Sequence, residues 1–133
     1  MSYQLICSDI DGTLLNKDRE LSKNTIEEVQ RVSPIPLVLI SSRMPSALRH
    51  LQVEFGNENT PLIAYNGGLV LNNNTVLHST FINNAVLAEI INQCTNTTIH
   101  LSLFHADEWY VPSMDYWAKR EESNTKVTPT IKA

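Results

Sequence analysis

The stretch Leu5-Ile6-Cys7-Ser8-Asp9-Ile10-Asp11-Gly12-Thr13-Leu14-Leu15 decides the fold. Its apolar start predicts a buried strand that ends in two carboxylates one residue apart, at the sheet edge where open α/β sheets bind ligands. Paired carboxylates favour Mg²⁺, because hard oxygen ligands suit this ion, and one of them can attack an electrophile while the other handles a proton. The alternative is a plain strand followed by an Asp/Gly turn, since Gly12 allows a sharp turn.

The seven residues 9–15 resemble the first motif of the haloacid dehalogenase-like phosphatases. More narrowly, they are similar to the motif of the Cof-type sugar-phosphate phosphatases, which carry an α/β cap. The resemblance implies that Asp9 is a nucleophile that forms an aspartyl-phosphate and that Asp11 is the general acid and base. It also implies an Mg²⁺ cofactor, held by the Asp9 side chain and the backbone carbonyl of Asp11.

A second apolar run, residues 37–40, ends in Ser41-Ser42-Arg43 and predicts a buried parallel strand. It resembles the second family motif, a Ser or Thr at the end of a hydrophobic strand, and this implies that Ser41 binds phosphate. Ser42 stands where Gly is usual in the family and is a further candidate. Arg43 is the strong anion binder of the stretch, and it either contacts substrate or makes a structural ion pair.

A third apolar strand, residues 62–65, ends in Asn66-Gly67-Gly68. The Asn-Gly pair resembles a Cof-type signature that lines the site near the junction of core and cap, which makes Asn66 and Gly67 candidate substrate-binding residues. The alternative for the glycines is a turn that needs positive φ.

Helices are predicted between these strands. Ser22 can cap one helix whose apolar positions include Ile26 and Val29, and Pro45 opens another that Gly56 ends. The alternation of strand and helix predicts a right-handed parallel βαβ arrangement. The polar residues 16–20 are predicted to form a loop over the site.

The earlier strands are continuously apolar, whereas residues 99–103 alternate between apolar and polar, and this change predicts a domain boundary near residues 80–84. Tyr116 and Trp117 are expected to cover a core, residues 99–103 to form a half-buried strand, and residues 121–133 to be loosely ordered. Together with the resemblance, the fold class is α/β. It comprises a partial Rossmann-like, three-layer α/β/α core over residues 1–82 and the start of an α+β cap over residues 83–133.

The charge, the N-terminus and the cysteines of the sequence indicate which binding partners and which cellular compartment to expect for the protein. The formal net charge is −4 and the pI is about 5.5, which argues against nucleic-acid or membrane-surface partners. The N-terminus lacks the features of a signal peptide, so the protein is expected in the cytoplasm. Cys7 and Cys94 match no metal spacing and are expected to be buried and reduced.

Cof-type phosphatases are about twice as long as these 133 residues, and their second half carries a Lys and a Gly-Asp string that complete the site. No Gly occurs after Gly68. The chain is therefore expected to be the N-terminal half of such a phosphatase, truncated or split, and inactive alone. Its partners would be a small phosphorylated metabolite and either a second copy or the complementing half. The alternatives are a non-catalytic remnant that binds phosphate or a protein, and a response-regulator receiver, which the motif fits poorly.

Overall fold

The structure, a computed structural model, describes residues 2–132. These residues form two compact units, of which one ends at Ser79 and the other begins at Thr80. The boundary lies three residues before the predicted one at residue 82. Their assignment as the core and the cap of a phosphatase stays a proposal, and each unit is described by itself.

The first unit is a five-stranded sheet with two helices. Its elements are β1 (Ile6–Asp9), α1 (Lys23–Arg31), β2 (Leu37–Ile40), α2 (Ser46–Phe55), β3 (Leu62–Ala64), β4 (Leu69–Asn72) and β5 (Thr75–Ser79). The strands lie in the order β1-β2-β3-β4-β5. The first three are parallel, and β4 and β5 continue the sheet as an antiparallel hairpin. The predicted α/β, Rossmann-like fold is confirmed.

The core of this unit lies between the sheet and the helices. Leu37 and Leu39 of β2 pack in one cluster with Leu48 and Leu51 of α2. Side chains alternate along a strand, so Val38 and Ile40 lie on the opposite face of the sheet. Partly buried apolar residues from β1, α1 and the loops complete the helix side of the cluster: Ile6, Leu14, Leu21, Ile26 and Val29. Of the three layers that the resemblance implies, these residues form the sheet and one helical layer.

Strand β1 pairs on one side only, with β2, and lies at the edge of the sheet. Its residues alternate between half-buried and exposed, and both Cys7 and Asp9 are exposed. The prediction that this strand is buried, with a buried Cys7, is wrong. The apolar composition predicted a strand with neighbours on both faces, whereas only the Ile6 face is covered by the helices.

The ends of both helices follow the sequence signals. Ser22 precedes α1, and its Oγ accepts a hydrogen bond of 3.1 Å from the Thr25 N–H. Pro45 precedes α2, and Gly56 ends it in the left-handed conformation, with φ of 71°. Glycine adopts this conformation without a steric penalty, so the chain can leave the helix towards β3.

The Ser22 cap gives a direct test of the first unit. Replacing Ser22 with Ala should lower the free energy of unfolding by about 1 kcal/mol, because the Thr25 N–H loses its partner. Exposed Ser33, just beyond α1, is the matched control, and Ser33→Ala should change it by less than about 0.5 kcal/mol. Urea unfolding should be followed by far-UV circular dichroism. Tryptophan fluorescence would not report on this unit, because Trp109 and Trp117 both belong to the other one. Equal losses in the two variants would contradict the capping role.

The second unit has two helices and a small sheet: α3 (Asn84–Cys94), β6 (Leu103–His105), β7 (Glu108–Val111), α4 (Tyr116–Thr125) and β8 (Thr130–Ile131). Strands β6 and β7 are antiparallel, and β8 pairs with β7 in parallel. The strand predicted over residues 99–103 begins only at Leu103. Of the segment expected to be loosely ordered, residues 121–125 belong to α4 and residues 130–131 form β8, while Ala133 lies outside the described residues. Tyr116 and Trp117 do not cover a core, since both are exposed.

A polar cluster links the start of α4 to the segment before β6. His100 contacts Asp115 through Nδ1 (2.8 Å) and Ser102 through Nε2 (2.7 Å), and the Trp109 indole N–H donates to the Ser102 hydroxyl. Asp115 also caps α4 by accepting from the Ala118 N–H. That backbone hydrogen bond first, and His100 second, lower the pKa of the Asp115 carboxyl. Both ring nitrogens of His100 are therefore engaged in side-chain contacts.

Within residues 2–132, no helix has the length and apolar character needed to cross a membrane.

Candidate functional site

The parallel pairing of β1 with β2 brings the predicted motifs to one edge of the sheet. Asp9 is in register with Ile40, so the turn after β1 and the turn after β2 begin side by side. Carboxyl ends of parallel strands share an edge, and this edge is where α/β sheets bind ligands. Asp11 and the segment 41–43 therefore leave their strands at the same place.

The turn after β1 is held by one carbonyl. The Ile10 carbonyl accepts hydrogen bonds from the N–H groups of Thr13 (3.2 Å), Leu14 (3.0 Å) and Leu15 (3.1 Å). Gly12 has φ of 76°, which this tight turn requires and which a residue with a Cβ rarely adopts. Thr13 donates from its hydroxyl to Oδ2 of Asp9 at 3.2 Å, so the turn orients the Asp9 carboxylate while leaving it exposed.

The turns after β2 and β3 are joined through their backbones. The Ser41 N–H donates to the Ile63 carbonyl, and the Ser41 carbonyl accepts from the Asn66 N–H at 2.9 Å. The Arg43 carbonyl accepts from the Tyr65 N–H at 3.1 Å. Ser41 is buried, and its Oγ accepts from the Arg43 N–H at 3.2 Å, which leaves the hydroxyl proton available to a ligand oxygen.

The loop after β3 has an uncommon backbone. Tyr65, Asn66 and Gly67 have φ of 52°, 54° and 94°, three consecutive residues in the left-handed region. An aromatic residue in this region is strained, and surrounding hydrogen bonds must hold it there. The bonds from Tyr65 and Asn66 to the β2 turn do so. The predicted alternative for Gly67, a turn that needs positive φ, agrees with this geometry.

Asp11 is held by two arginines. Arg43 binds it in a bidentate manner, with Nε donating to Oδ2 at 2.8 Å and the second guanidinium nitrogen donating to Oδ1 at 2.7 Å. Arg19 donates to the same Oδ1. The side chain of Arg43 is only 5% exposed, whereas that of Arg19 is 40% exposed. One guanidinium is thus fixed by burial and the other reaches into solvent.

These contacts set the charge state of Asp11. Burial by itself raises the pKa of the Asp11 carboxyl, but the hydrogen bonds and charges of Arg43 and then of Arg19 outweigh burial and hold the pKa below its ordinary value. A carboxyl with a lowered folded-state pKa stabilises the fold above its unfolded-state pKa. This contribution is lost as the pH falls through the folded-state value.

The structure brings some of the predicted site residues into contact and leaves others apart. Asp11, Ser41 and Arg43 form one connected group, and Asn66 joins it through its backbone. Ser42 is exposed. For Arg43, the alternative of a structural ion pair describes the observed contact. The roles of all these residues in binding or catalysis stay predictions.

Arg19 is the site residue that the sequence did not predict. Residues 16–20 were expected to form a loop over the site, and they do form a turn from which Arg19 contacts Asp11. The available signal was the pair of basic residues in this short polar segment, Lys17 and Arg19, which are the only cations between Asp11 and α1. This pair of cations was only a weak indication of a site, because charged residues in a turn usually contact solvent and no ligand.

A family model for haloacid dehalogenase-like hydrolases matches residues 6–132. This chain belongs to that family. The resemblance inferred from residues 9–15, 37–43 and 62–68 is thereby confirmed at the level of the family.

Individual relatives agree with this placement. The chain is 37% identical over 68 residues to a glucosyl-3-phosphoglycerate/mannosyl-3-phosphoglycerate phosphatase of Persephonella marina, covering 50% of this chain and 25% of that protein. It is 37% identical over 70 residues to a 5-amino-6-(5-phospho-D-ribitylamino)uracil phosphatase of Bacillus subtilis, with the same shares. A haloacid dehalogenase-like hydrolase from Bacteroides thetaiotaomicron shares the fold, with a TM-score of 0.91 at 24% identity over 98% of this chain and 52% of that one. The present chain thus spans about half the length of the solved relative.

The described part of this chain supplies only some of the ligands for a divalent cation. No group of three or more His, Cys, Asp or Glu side chains in residues 2–132 could hold a metal ion. The exposed Asp9 carboxylate offers a hard oxygen of the kind that Mg²⁺ prefers, whereas the Asp11 carboxylate is occupied by guanidinium groups. The donors present therefore fit part of an oxygen coordination shell.

The buried ion pair gives a second prediction. Arg43→Met leaves the half-buried Asp11 without its bidentate partner and should lower the free energy of unfolding by about 2–3 kcal/mol, less than for a fully buried pair because Asp11 is 30% exposed. Arg31 is the matched control, since its ion pair with Glu28 lies in solvent, and Arg31→Met should cost less than about 1 kcal/mol.

Urea unfolding of both variants measures this difference. Adding Asp11→Asn to the Arg43→Met protein should recover part of the loss, because the half-buried charge that keeps only the single contact from Arg19 is then gone. Equal costs for Arg43→Met and Arg31→Met, or no recovery in the double variant, would contradict a stabilising pair.

Proposed function

We propose that this chain carries the nucleophile of a phosphomonoester hydrolase of the Cof type, which acts on sugar phosphates or similar small phosphorylated metabolites. One observation carries the proposal. The exposed Asp9 carboxylate stands at the carboxyl end of a parallel strand, oriented by Thr13 and next to the turn that holds Ser41. An oriented, exposed carboxylate beside a hydroxyl donor suits nucleophilic attack on phosphorus.

The proposed chemistry uses the two aspartates in turn. An Asp9 carboxylate oxygen bonds to phosphorus as the bond from phosphorus to the ester oxygen breaks, and the departing alkoxide takes a proton from protonated Asp11. Water then attacks phosphorus and gives a proton to Asp11, which breaks the bond to Asp9, restores its carboxylate and releases inorganic phosphate. Ser41 donates a hydrogen bond to a phosphoryl oxygen during both steps.

A divalent cation would complete this site. The proposed ligands in this chain are the Asp9 side chain and the backbone carbonyl of Asp11. When bound, Mg²⁺ would offset the repulsion between Asp9 and the phosphate anion. Asn66 and Gly67, in the loop after β3, and Ser42, after β2, are the further residues proposed near the substrate.

The proposed substrate class has support from the relatives. The Persephonella and Bacillus phosphatases both act, by their names, on small molecules in which phosphate accompanies a sugar or a ribityl group. Because each alignment covers only 25% of those proteins, the substrate of this chain is proposed as a class and not as one compound.

Activity assays on the 133-residue chain test the proposal. We expect negligible hydrolysis of p-nitrophenyl phosphate and sugar phosphates, since the Gly-Asp string that completes the site in Cof-type phosphatases does not occur in the sequence. Each missing electrostatic contact of this kind costs about 10²–10³ in rate. Asp9→Asn should abolish the residual rate and the phosphoryl group found on the Asp9 peptide after acid quenching.

Glu54→Gln, an exposed carboxylate-to-amide change on α2, is the control and should leave the rate unchanged. Hydrolysis that persists in the Asp9→Asn protein would refute the nucleophile. Turnover at ordinary enzyme rates by the wild-type chain would instead show that residues within it supply the missing charge.

A non-catalytic protein that binds phosphate is the second candidate, and one observation favours it. Both carboxylate oxygens of Asp11 accept hydrogen bonds from guanidinium groups. A carboxylate engaged in this way is less suited to proton transfer, so a site that only binds an anion fits this geometry better than a catalytic one. Binding of inorganic phosphate without any trapped phosphoryl group on Asp9 would distinguish this candidate from the hydrolase.

We further propose that the chain associates, with a second copy or with a complementing chain that supplies the second half of the fold. Strand β5 is an edge strand whose five residues are all exposed. In the second unit, an apolar groove of about 780 Å³ lies between Ile91, Cys94, Leu101 and Leu103. Open edges and apolar grooves of this size favour contact with another chain.

Sedimentation equilibrium tests association directly. The wild-type chain should form dimers or larger species at high concentration, because its apolar surface is poorly hydrated. Replacing Leu77 of the β5 edge with Lys should shift the equilibrium towards monomer, since a charge on an edge strand opposes pairing. Val53→Lys, an equally exposed apolar position on α2, is the control. A wild-type protein that stays monodisperse and monomeric would refute the proposal.

A further inference from the structure

The carboxylate of Asp11 receives three guanidinium hydrogen bonds, and the two donors differ in how easily they can leave. The side chain of Arg43 is 5% exposed and binds Asp11 through two nitrogens, so both burial and the bidentate contact hold it in place. Arg19 is 40% exposed and makes one contact to Asp11, through a single nitrogen. Arg19 is therefore the exchangeable partner of Asp11.

A tight turn aims Arg19 at the site. The side chain of Asn16 accepts from the N–H groups of Asp18 (2.8 Å) and Glu20 (3.0 Å), and the backbones of Asn16 and Glu20 are bonded at 2.9 Å. An isolated antiparallel β-bridge between Leu15 and Leu21 closes the turn at its base. Within it Arg19 has φ of 62°, and its N–H is bonded to the Asn16 carbonyl. The side chain thus starts from a fixed backbone and keeps freedom only at its solvent end.

The space in front of this turn suits a small anion. A cavity of about 470 Å³ lies between Asp11, Gly12, Asn16, Lys17 and Arg19. Its two cations come from the turn and its one carboxylate is already paired with arginine. A phosphoryl group bound in this cavity would meet the guanidinium of Arg19 at the cavity wall.

A phosphoryl oxygen and the Asp11 carboxylate compete as hydrogen-bond acceptors for the guanidinium of Arg19. Both are anionic acceptors that match its forked N–H groups. A phosphate dianion carries more charge than a carboxylate, and it can compete for the exposed Arg19 while the buried Arg43 stays on Asp11. The exchange would place a positive charge on the phosphoryl group and leave one Asp11 oxygen lone pair open for proton transfer.

We propose that Arg19 is a phosphoryl-binding residue that leaves Asp11 for the substrate, and so couples phosphate binding to the release of the general acid and base. This inference rests on the proposed phosphatase function and adds to it a ligand from the turn 16–20. It thereby assigns a cation of this chain, Arg19, to the phosphoryl group, and Arg19 contacts the turn that follows the strand of the proposed nucleophile.

Binding of inorganic phosphate to the intact 133-residue chain tests the inference without the need for turnover. Heteronuclear NMR at a fixed MgCl2 concentration gives the Kd and follows the guanidinium signal of Arg19. Arg19→Gln should raise the Kd about tenfold or more, the effect of one charge-assisted hydrogen bond. Arg19→Lys should give an intermediate Kd, because the charge remains and the fork is lost. Arg31→Gln, in a solvent-exposed ion pair with Glu28, is the matched control and should leave the Kd unchanged.

A double-mutant cycle separates exchange from a merely structural role. Asp11→Asn removes the competitor for Arg19, so it should tighten phosphate binding in the wild-type background and tighten it less in the Arg19→Gln background. If Arg19 served only to hold the turn, the two backgrounds would respond equally. Equal responses would overturn the exchange.

The outcomes also separate this inference from the proposed function. Phosphate binding that weakens in Ser41→Ala but changes less than twofold in Arg19→Gln would refute the role of Arg19 and leave the phosphate site standing. A wild-type chain that binds no phosphate would overturn both. A tenfold loss in Arg19→Gln with an unchanged Arg31→Gln, and a guanidinium signal that shifts on saturation, would support the inference.

Discussion

The ion pair between Arg43 and Asp11 joins the turn after β1 to the turn after β2, and the site depends on it. Arg43 is almost fully buried, and a buried guanidinium without a partner is strongly destabilising. Its two hydrogen bonds to Asp11 have a fixed mutual geometry, so they determine both the distance and the angle between the turns. The backbone of Arg43 in turn holds the loop after β3 through Tyr65. Three strand ends are therefore tied together at one side chain.

This arrangement gives two aspartates of one motif different environments. Asp9 is exposed and receives a single hydroxyl hydrogen bond, whereas Asp11 is half-buried and held by two guanidinium groups. Side chains two residues apart on an extended strand face the same way, but the tight turn that begins at Ile10 separates these two. The Asp9 carboxylate is thus open to a ligand, whereas both oxygens of the Asp11 carboxylate are engaged by arginine. The difference between them arises from the turn and not from residue type.

The second unit is stabilised in another way. Its sheet is small, and many of its large apolar side chains are exposed, among them Phe81, Ile99 and Trp117. The polar cluster around His100 compensates in part, because it links the segment before β6 to Trp109 and to the cap of α4. The apolar groove beside α3 remains open.

The amino-acid sequence by itself determined the family, the α/β fold, the three parallel strands and the caps of α1 and α2. These depend on local patterns: continuous apolar runs, Ser22 before an amphipathic segment, and Gly56 after one. It also placed Asp9, Asp11 and Ser41 at strand ends, because the carboxyl ends of parallel strands must share an edge. For two residues the sequence allowed two interpretations. The structure agrees with the ion pair as the alternative for Arg43 and with the positive-φ turn as the alternative for Gly67.

Only the tertiary structure decided which charges meet. Arg43 and Asp11 are 32 positions apart, and Arg19 reaches Asp11 through a turn held by the side chain of Asn16. No local pattern encodes such distances, since they depend on how the strands pair and on which side chains burial fixes. The exposure of Cys7 and of Trp117 was unpredictable for the same reason. Hydrophobicity predicts a preference for burial, but coverage depends on the neighbours that the fold places on each face.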